Sequence, residues 1–210
     1  MTATINPSAS NQPILKSYKW SHYADAYKKH LPALPGKLLE IGVAEGGSLL
    51  TWRNHFPDCE IHGVDYNPAA KKMEQYGFII HILNQARKSD LLTLPDDFDV
   101  IIDDGGHRPY QILRSFEVLF PKLKANGVYV IEDLHMSEKI RWRMWQKIFG
   151  GPRTILLGLY HKMNLYVESD APCVKFPFEI HLYPHIIFIV KRSGTIEPTE
   201  KMIALTEISH

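Results

Sequence analysis

The chain has 210 residues, which is enough for one sizeable α/β domain and too few for two ordinary ones. Hydrophobic residues make up 45% and charged residues 22%, so the composition is globular and excludes wholesale disorder. The formal net charge of +1 excludes a global field that would recruit nucleic acid or an anionic membrane, so any binding specificity must come from a local site.

The N-terminal residues and the cysteines give further expectations. A flexible tail over residues 1–15 is predicted because the segment is polar and rich in Ser, Asn, Thr and Pro, and residues 16–210 are predicted to form a single domain. The tail has no signal-peptide pattern and the longest apolar run is of strand length, so a cytoplasmic protein without membrane contact is expected. Cys59 and Cys173 are too few and too isolated for a disulfide framework or a zinc site, and free thiols are expected.

Helical and strand patterns alternate along the chain. A first helix is predicted over residues 16–31, with an apolar stripe of Trp20, Tyr23, Tyr27 and Leu31 that we expect mostly to pack in the core. Short, near-continuous apolar strands separated by helices then indicate a parallel sheet covered on both faces. The predicted strands are residues 38–42, 61–66, 78–83, 98–104 and 127–133, and the predicted helices are residues 48–55, 68–76 and 110–123.

The last third of the chain has a different pattern. Helices are predicted over residues 137–151 and 154–165, followed by strands over 178–183 and 186–192. Only Pro184 and His185 separate these two strands, so they must form an antiparallel hairpin. The predicted fold class is therefore α/β and Rossmann-like, with a mostly parallel seven-stranded sheet, a C-terminal antiparallel hairpin and helices on both faces.

A glycine-rich turn follows the first predicted strand, in the segment LLEIGVAEGGS. Gly42 is expected where a side chain would meet a bound cofactor, Gly46 opens the next helix, and Ser48 completes the turn. Asp65 ends the second strand, where a carboxylate can accept both hydroxyls of a ribose, and this spacing alone fits NAD as well as S-adenosylmethionine (SAM). Glu40 precedes the first glycine and the turn lacks a G-x-G-x-x-G pattern, which favours SAM, a ligand with an ammonium group and no phosphate.

Polar residues also follow the third strand. Asn84 and Gln85 stand where an adenine would lie in this layout, and we include both in the predicted cofactor site. An ordinary polar loop is the alternative for both residues.

Carboxylates end two neighbouring predicted strands, with Asp103 and Asp104 after the fourth and Glu132 and Asp133 after the fifth. Ligands bind beyond the carboxyl ends of such strands, and the four carboxylates repel one another unless a cation or several donors compensate. Oxygen-only ligands suit Mg²⁺ better than Zn²⁺. The alternative is helix capping by these residues. Asp103 is assigned to the predicted cofactor site.

His107 lies in the turn after Asp104. Imidazole can take a proton from an alcohol near neutral pH, so His107 is the candidate general base. Of the other histidines, His135 is a weaker candidate at the same ligand-facing edge of the sheet, and His22 is a candidate to line the site.

With these motifs, the sequence resembles the metal-dependent sugar O-methyltransferases of natural-product biosynthesis. That family includes macrolide and rhamnosyl O-methyltransferases and cephalosporin hydroxylase-like proteins. The resemblance covers residues 18–192 and rests on HYADAY, LLEIGVAEGGSL, GVDYNP, IIDDGGH, GVYVIEDLH and IHLYPHIIFIVKR. The pair IDDG-x-H and IED-x-H is specific, whereas the glycine turn is generic. The resemblance implies a class I methyltransferase layout.

The carboxylates that end the fourth and fifth strands form what we call the acidic edge. The resemblance implies roles for its residues, with Asp104, Glu132 and Asp133 as Mg²⁺ ligands, and for His107 as the base. In the implied mechanism Mg²⁺ binds two adjacent sugar hydroxyls, His107 deprotonates one of them, and the alkoxide attacks the SAM methyl group. The expected function is a SAM- and Mg²⁺-dependent O-methyltransferase acting on a sugar moiety or small natural product in secondary-metabolite, including antibiotic, biosynthesis. The expected partner is a small glycosylated molecule rather than nucleic acid or a membrane, and a homo-oligomer is compatible with the sequence.

The chain departs from the family pattern at several points. Met136-Ser137-Glu138 replaces the usual Thr-Ser-Tyr, which predicts an altered acceptor pocket, and Asn84 stands where Asp is common. These 210 residues do not include the large N-terminal domain of the macrolide enzymes, so we do not expect their oligomeric arrangement to carry over. Three alternatives remain open: a cephalosporin hydroxylase-like protein, a catechol-type O-methyltransferase, and a non-catalytic module that binds through the same fold.

Overall fold

The computed structural model of the protein describes residues 19, 21–135, 155–156, 158–159 and 178–193. The predicted tail over 1–15, the predicted helix over 137–151, most of the predicted helix over 154–165, and Cys173 lie outside the described residues, as does the altered segment 136–138. Cys59 is buried and forms no disulfide. None of the helices in the described ranges is long and apolar enough to cross a membrane.

A single seven-stranded sheet organises the described part of the chain. Its strand order is β3-β2-β1-β4-β5-β7-β6, with β1 to β5 parallel and β7 antiparallel to both β5 and β6. The strands are Lys37–Ile41 (β1), Glu60–Asp65 (β2), Ile79–Ile82 (β3), Phe98–Asp103 (β4), Leu123–Ile131 (β5), Phe178–Tyr183 (β6) and Ile186–Lys191 (β7). The predicted mostly parallel sheet with a C-terminal hairpin is confirmed. The strand order reverses between β1 and β4, and a crevice opens beyond their carboxyl ends.

Within the described residues, four α-helices with defined bounds connect these strands or precede them. They are Ser21–His30 (α1), Gly47–His55 (α2), Lys88–Leu92 (α3) and Pro109–Leu119 (α4). Hydrophobic side chains cover both faces of the sheet, because successive strand residues point to opposite sides. Leu38 and Ile102 belong to one buried cluster, whereas Leu39 and Ile101 belong to the other.

Two predicted helices differ from the structure. Residues Pro68–Tyr76 form a 3-10 helix, which Asn67 caps by accepting the backbone N–H of Ala69 at 3.0 Å. The helix predicted over 110–123 ends at Leu119, because Pro121 has no N–H to continue it and Phe120–Lys122 turns as a 3-10 segment. As a result, β5 begins at Leu123, before the predicted start at residue 127.

Helix α1 lies against the carboxyl end of β5 and the β6–β7 turn. His22 Nε2 lies 2.9 Å from the carbonyl oxygen of Pro184, and the Tyr23 hydroxyl donates to the carbonyl of His185 at 3.1 Å. Tyr23 and Tyr27 are buried, as predicted for the apolar stripe, while their hydroxyl groups reach polar partners. The helix is thereby placed over the acidic edge of the sheet.

Candidate active site

A cavity of about 1030 Å³ opens at the carboxyl ends of β1, β2 and β4. It joins the glycine-rich turn to the acidic loop after β4. Of the residues predicted to form the site, those lining the cavity are Gly42, Ser48, Asp65, Asn84, Gln85, Asp104 and His107. The structure therefore gathers two separate sequence motifs around one space large enough for a nucleoside-sized ligand and a second molecule.

The glycine-rich turn is shaped by left-handed backbone conformations. Gly42 has φ of 97° and Gly46, at the start of α2, has φ of 89°. A Cβ at Gly42 would overlap the backbone carbonyl of Asp104. This corrects the predicted reason for Gly42: the neighbouring loop, rather than a ligand, excludes a side chain there. Gly42 still brings the β1 and β4 loops together at the cavity wall.

Asp65 is held rigidly at the end of β2. Its Oδ2 accepts the backbone N–H of Ala44 at 2.9 Å, and its Oδ1 accepts that of Asn67 at 2.8 Å. A carboxylate oxygen can accept more than one hydrogen bond, so each oxygen retains capacity for a ligand hydroxyl. The prediction that Asp65 faces a cofactor ribose is compatible with this geometry.

Asn84 and Gln85, which follow β3, have different hydrogen-bond partners. The Asn84 side chain accepts the backbone N–H of Ala86 at 2.9 Å, as a turn-forming residue does, while it also lines the cavity. Gln85 donates from Nε2 to Asp103 at 2.6 Å and accepts the N–H of Gly106 at 2.9 Å. Gln85 therefore connects the β3 loop to the β4 loop.

Asp103 does not line the cavity. It is 1% exposed, and it accepts hydrogen bonds from Gln85 and, at 3.4 Å, from the hydroxyl of Tyr129. Burial raises the pKa of Asp103 to about 7, although the hydrogen bond from Gln85 acts in the opposite direction. The predicted side-chain contact between Asp103 and a cofactor is not supported, because consecutive strand residues alternate and Asp103 points into the core beneath α4.

Lys19 is the site residue that the sequence prediction missed. Its ammonium lies among three carboxylates, with Nζ 2.5 Å from Glu132 Oε1, 3.2 Å from Asp104 Oδ2 and 3.5 Å from Glu40 Oε1. Burial acts to lower the pKa of Lys19, but the three carboxylates outweigh it and hold that pKa above its ordinary value. The ammonium therefore remains charged and partly neutralises the acidic edge.

Glu40 is fully buried and does not line the cavity. Its Oε2 accepts the hydroxyl of Ser48 at 2.7 Å, while its Oε1 faces Lys19. Glu40 was predicted to meet a ligand ammonium, and in the structure the ammonium that it meets belongs to the protein.

Two tyrosines of α1 hold the carboxylates after β5. Tyr27 donates to Glu132 Oε1, and Tyr23 donates to Asp133 Oδ1 at 3.0 Å. Glu132 is 1% exposed, and burial raises its pKa although Lys19 acts in the opposite direction. Asp133 has φ of 54°, a strained conformation for a residue other than glycine.

The three predicted metal ligands do not converge on one point. Possible ligand atoms lie within 4.8 Å of one another in two groups, one formed by Asp104, His107 and Asp133 and the other by Glu40, Asp104 and Glu132. Asp104 belongs to both groups. In the part of the chain that the structure describes, no such group unites Asp104, Glu132 and Asp133.

His107 lines the cavity beside Asp104, with Nε2 3.9 Å from Asp104 Oδ1. Burial lowers its pKa, even though Asp104 and Asp133 act to raise it. The neutral imidazole, which can accept a proton, is thereby favoured. The two less firm candidates, His22 and His135, do not line this cavity.

Comparisons with known proteins agree with this fold. Residues 39–134 match a family model described as a methyltransferase domain. Among solved structures, the chain is similar to the MycE methyltransferase from the mycinamycin biosynthetic pathway, in complex with Mg and SAH. The TM-score is 0.64 and the sequence identity 26%, over 88% of this chain and 51% of that one.

Two curated relatives come from Streptomyces olivaceus. An 8-demethyl-8-alpha-L-rhamnosyl tetracenomycin-C 2'-O-methyltransferase is 28% identical over 85% of this chain and 53% of its own length. An 8-demethyl-8-(2-methoxy-alpha-L-rhamnosyl)-tetracenomycin-C 3'-O-methyltransferase is 32% identical over 91% of this chain and 54% of its own length. The chain thus spans about half the length of these relatives. Its fold is of the Rossmann-like methyltransferase type, and sugar O-methyltransferases are among the proteins to which it is similar.

Proposed function

We propose that this chain acts as a SAM- and Mg²⁺-dependent O-methyltransferase on a sugar hydroxyl of a small glycosylated molecule. The observation that carries the proposal is the single cavity shared by the Asp65 turn and the Asp104–His107 loop. The names of the two rhamnosyl tetracenomycin relatives support a sugar hydroxyl as the acceptor, since both methylate the rhamnosyl group.

SAM would occupy the side of the cavity formed by the glycine-rich turn. Asp65, fixed by two backbone N–H groups, would accept the ribose hydroxyls, and Asn84 and Gln85 would face the adenine. Ser48 and the backbone after Gly42 would lie beside the methionine part of the cofactor. Glu40 would contribute indirectly, by fixing Ser48 from behind the turn.

The donor atoms of the acidic edge are of the kind that binds a hard divalent cation, although the three proposed ligands do not converge on one point with Lys19 among them. Their donors are carboxylate oxygens, which suit Mg²⁺, and the position of the Lys19 ammonium among them indicates that the edge attracts positive charge. Asp104, Glu132 and Asp133 are the residues proposed to hold the ion. When bound, Mg²⁺ supplies Lewis-acid chemistry that lowers the pKa of a hydroxyl it contacts.

His107 would carry the proton transfer. Its neutral imidazole would accept the proton of the acceptor hydroxyl, whose oxygen then forms a bond to the methyl carbon as the carbon–sulfur bond of SAM breaks. The products are a methyl ether, S-adenosylhomocysteine (SAH) and a protonated His107. Tyr23 would support this step by fixing Asp133 next to the reacting groups.

The test is transfer of labelled methyl groups from SAM to a panel of rhamnose-bearing acceptors and catechols, with EDTA or with Mg²⁺. We expect transfer to a rhamnosyl acceptor that EDTA abolishes and Mg²⁺ restores. D104A and H107A should lose transfer, whereas the exposed-site controls D58A and H55A should keep it. Full activity in EDTA, or methylation of catechols alone, would contradict the proposal.

A further inference from the structure

Three hydrogen-bond donors at four-residue spacing face the acidic edge. Lys19 contacts Glu132 and Asp104, Tyr23 contacts Asp133, and Tyr27 contacts Glu132. None of these donors belongs to the sheet that carries the carboxylates. The segment around α1 therefore decides how the carboxylates are arranged.

The donors draw Glu132 and Asp133 in different directions. Lys19 and Tyr27 both bind Oε1 of Glu132, on the side of Glu40, whereas Tyr23 binds Asp133 on the side of His107. Asp104 lies between them and faces Lys19 through Oδ2 and His107 through Oδ1. Lys19 occupies the group formed by Glu40, Asp104 and Glu132, which shares only Asp104 with the other group of possible ligand atoms.

We propose that Lys19 competes with the divalent cation for Asp104 and Glu132, so that binding of the metal displaces the Lys19 ammonium from the acidic edge. The inference rests on the metal site proposed above. Two cations that share the oxygens of the same carboxylates repel each other strongly where burial limits screening by water. Lys19 therefore neutralises the buried carboxylates until the metal replaces it.

The affinity for Mn²⁺ measures this competition directly, and it can be followed by electron paramagnetic resonance of the free ion without any acceptor. K19M should bind Mn²⁺ at least about tenfold more tightly than the wild type, because no ammonium has to leave. K19R keeps the charge and should bind within about twofold of the wild type. K37M removes a lysine that contacts Glu60 and lies outside the acidic edge, and it should also match the wild type.

The fluorescence of Trp52 in the wild type tests whether the metal displaces the Lys19 ammonium, even if K19M does not fold. The Lys19 ammonium lies 5.7 Å from the centre of the Trp52 ring, at cation–π distance. Mg²⁺ should therefore change the tryptophan emission of the wild type, and W52F should remove that change. K19M should show no such change although it binds the ion.

The outcomes separate this inference from the proposed function. Tight Mn²⁺ binding by K19M together with a Trp52 signal in the wild type supports the competition. Equal Mn²⁺ affinities for K19M and the wild type, or no Trp52 signal on saturation with Mg²⁺, overturn the competition and leave the metal site standing. Failure of both proteins to bind Mn²⁺ overturns the metal site and the competition together.

Discussion

Left-handed backbone conformations gather around the cavity. Ala44 with φ of 47°, His107 with φ of 52° and Asp133 with φ of 54° are not glycines, although each adopts this region. Such residues cost about 1–3 kcal/mol each and persist only where neighbouring contacts hold them. The Tyr23 hydroxyl supplies one such contact to Asp133. Part of the backbone strain therefore lies where the proposed chemistry requires side chains at fixed positions, while Asp97, Asn126 and His185 adopt the same region elsewhere.

At the level of single residues, Gly42 gives the most direct prediction. G42A should lower the free energy of unfolding by about 3 kcal/mol or more, because its φ is positive and the new Cβ overlaps the Asp104 carbonyl. G77A is the matched control: Gly77 has φ of 81° but nothing within 4 Å of an added Cβ, so a loss of about 1–2 kcal/mol is expected. Urea denaturation of both variants measures the difference, and equal losses would show that the two loops do not meet at Gly42.

Seven of the residues predicted for the site line the cavity, whereas the buried positions of Asp103 and Glu40 and the presence of Lys19 were not predicted. Asp103 was grouped with Asp104, although strand alternation places its side chain on the same face of the sheet as Ile101, a pattern that the sequence already contained. Lys19 had no local signal. It lies far along the chain from Glu132, and only the packing of the segment before α1 brings the two together.

Helix α1 is the element whose role in the structure differs most from its predicted role. Its tyrosines were expected to serve mainly as core residues, and they are buried, but their hydroxyl groups also join β5 to the β6–β7 turn. A helical apolar stripe predicts that its residues are buried. It does not predict which groups a tyrosine hydroxyl contacts, because those contacts depend on tertiary packing.

Removal of the Tyr23 hydroxyl tests this connection. Y23F should lower the free energy of unfolding by about 1–3 kcal/mol, because Asp133 and the His185 carbonyl lose a buried donor. Y66F is the control, since Tyr66 is 82% exposed and its change should stay within about 0.5 kcal/mol. If the two variants are equally stable in urea, the hydroxyl does not anchor α1.

Strands β2 and β3 carry a pair of stacked histidines away from the cavity. His62 Nδ1 lies 3.0 Å from His81 Nε2, and His62 Nε2 lies 2.8 Å from Glu60. Burial, His62 and Lys71 lower the pKa of His81, whereas Glu74 acts to raise it. The folded protein therefore holds His81 in its neutral form more firmly than the unfolded chain does.

The sign of the resulting pH dependence follows from linkage. Above the ordinary histidine pKa of 6.5 neither state binds the proton, and below it the unfolded chain binds more protons at His81. His81 should therefore lower the free energy of unfolding as the pH drops below 6.5, and H81Q should lose less stability than the wild type over this range. The lowered pKa of His30 acts in the same direction, whereas the raised pKa values of Asp103 and Glu132 act in the opposite direction. H55Q, at an exposed position, should follow the wild type in denaturation curves from pH 7 to pH 5; an unchanged slope in H81Q would exclude His81 as a contributor.

At the scale of the whole molecule, the alternation of apolar strands and helices was sufficient to predict the fold. Seven strands and the C-terminal hairpin are present where expected, because buried parallel strands have a composition that differs from that of the helices between them. The boundaries near Pro121 and the 3-10 helix at Pro68 were less accurate, since apolar spacing does not distinguish the two helix types. The substrate class is proposed from the names of the relatives.

We propose that one cavity binds the methyl donor at Asp65 and that methyl transfer takes place in it beside the acidic edge. Calorimetric titration of SAH into the wild type, D65A and D104A in the presence of Mg²⁺ tests it most directly. The wild type and D104A should bind SAH with similar affinity, whereas D65A should bind at least about tenfold more weakly, because the ribose hydroxyls lose a charged acceptor. Absence of heat from the wild type, or equal binding by D65A, would contradict the account.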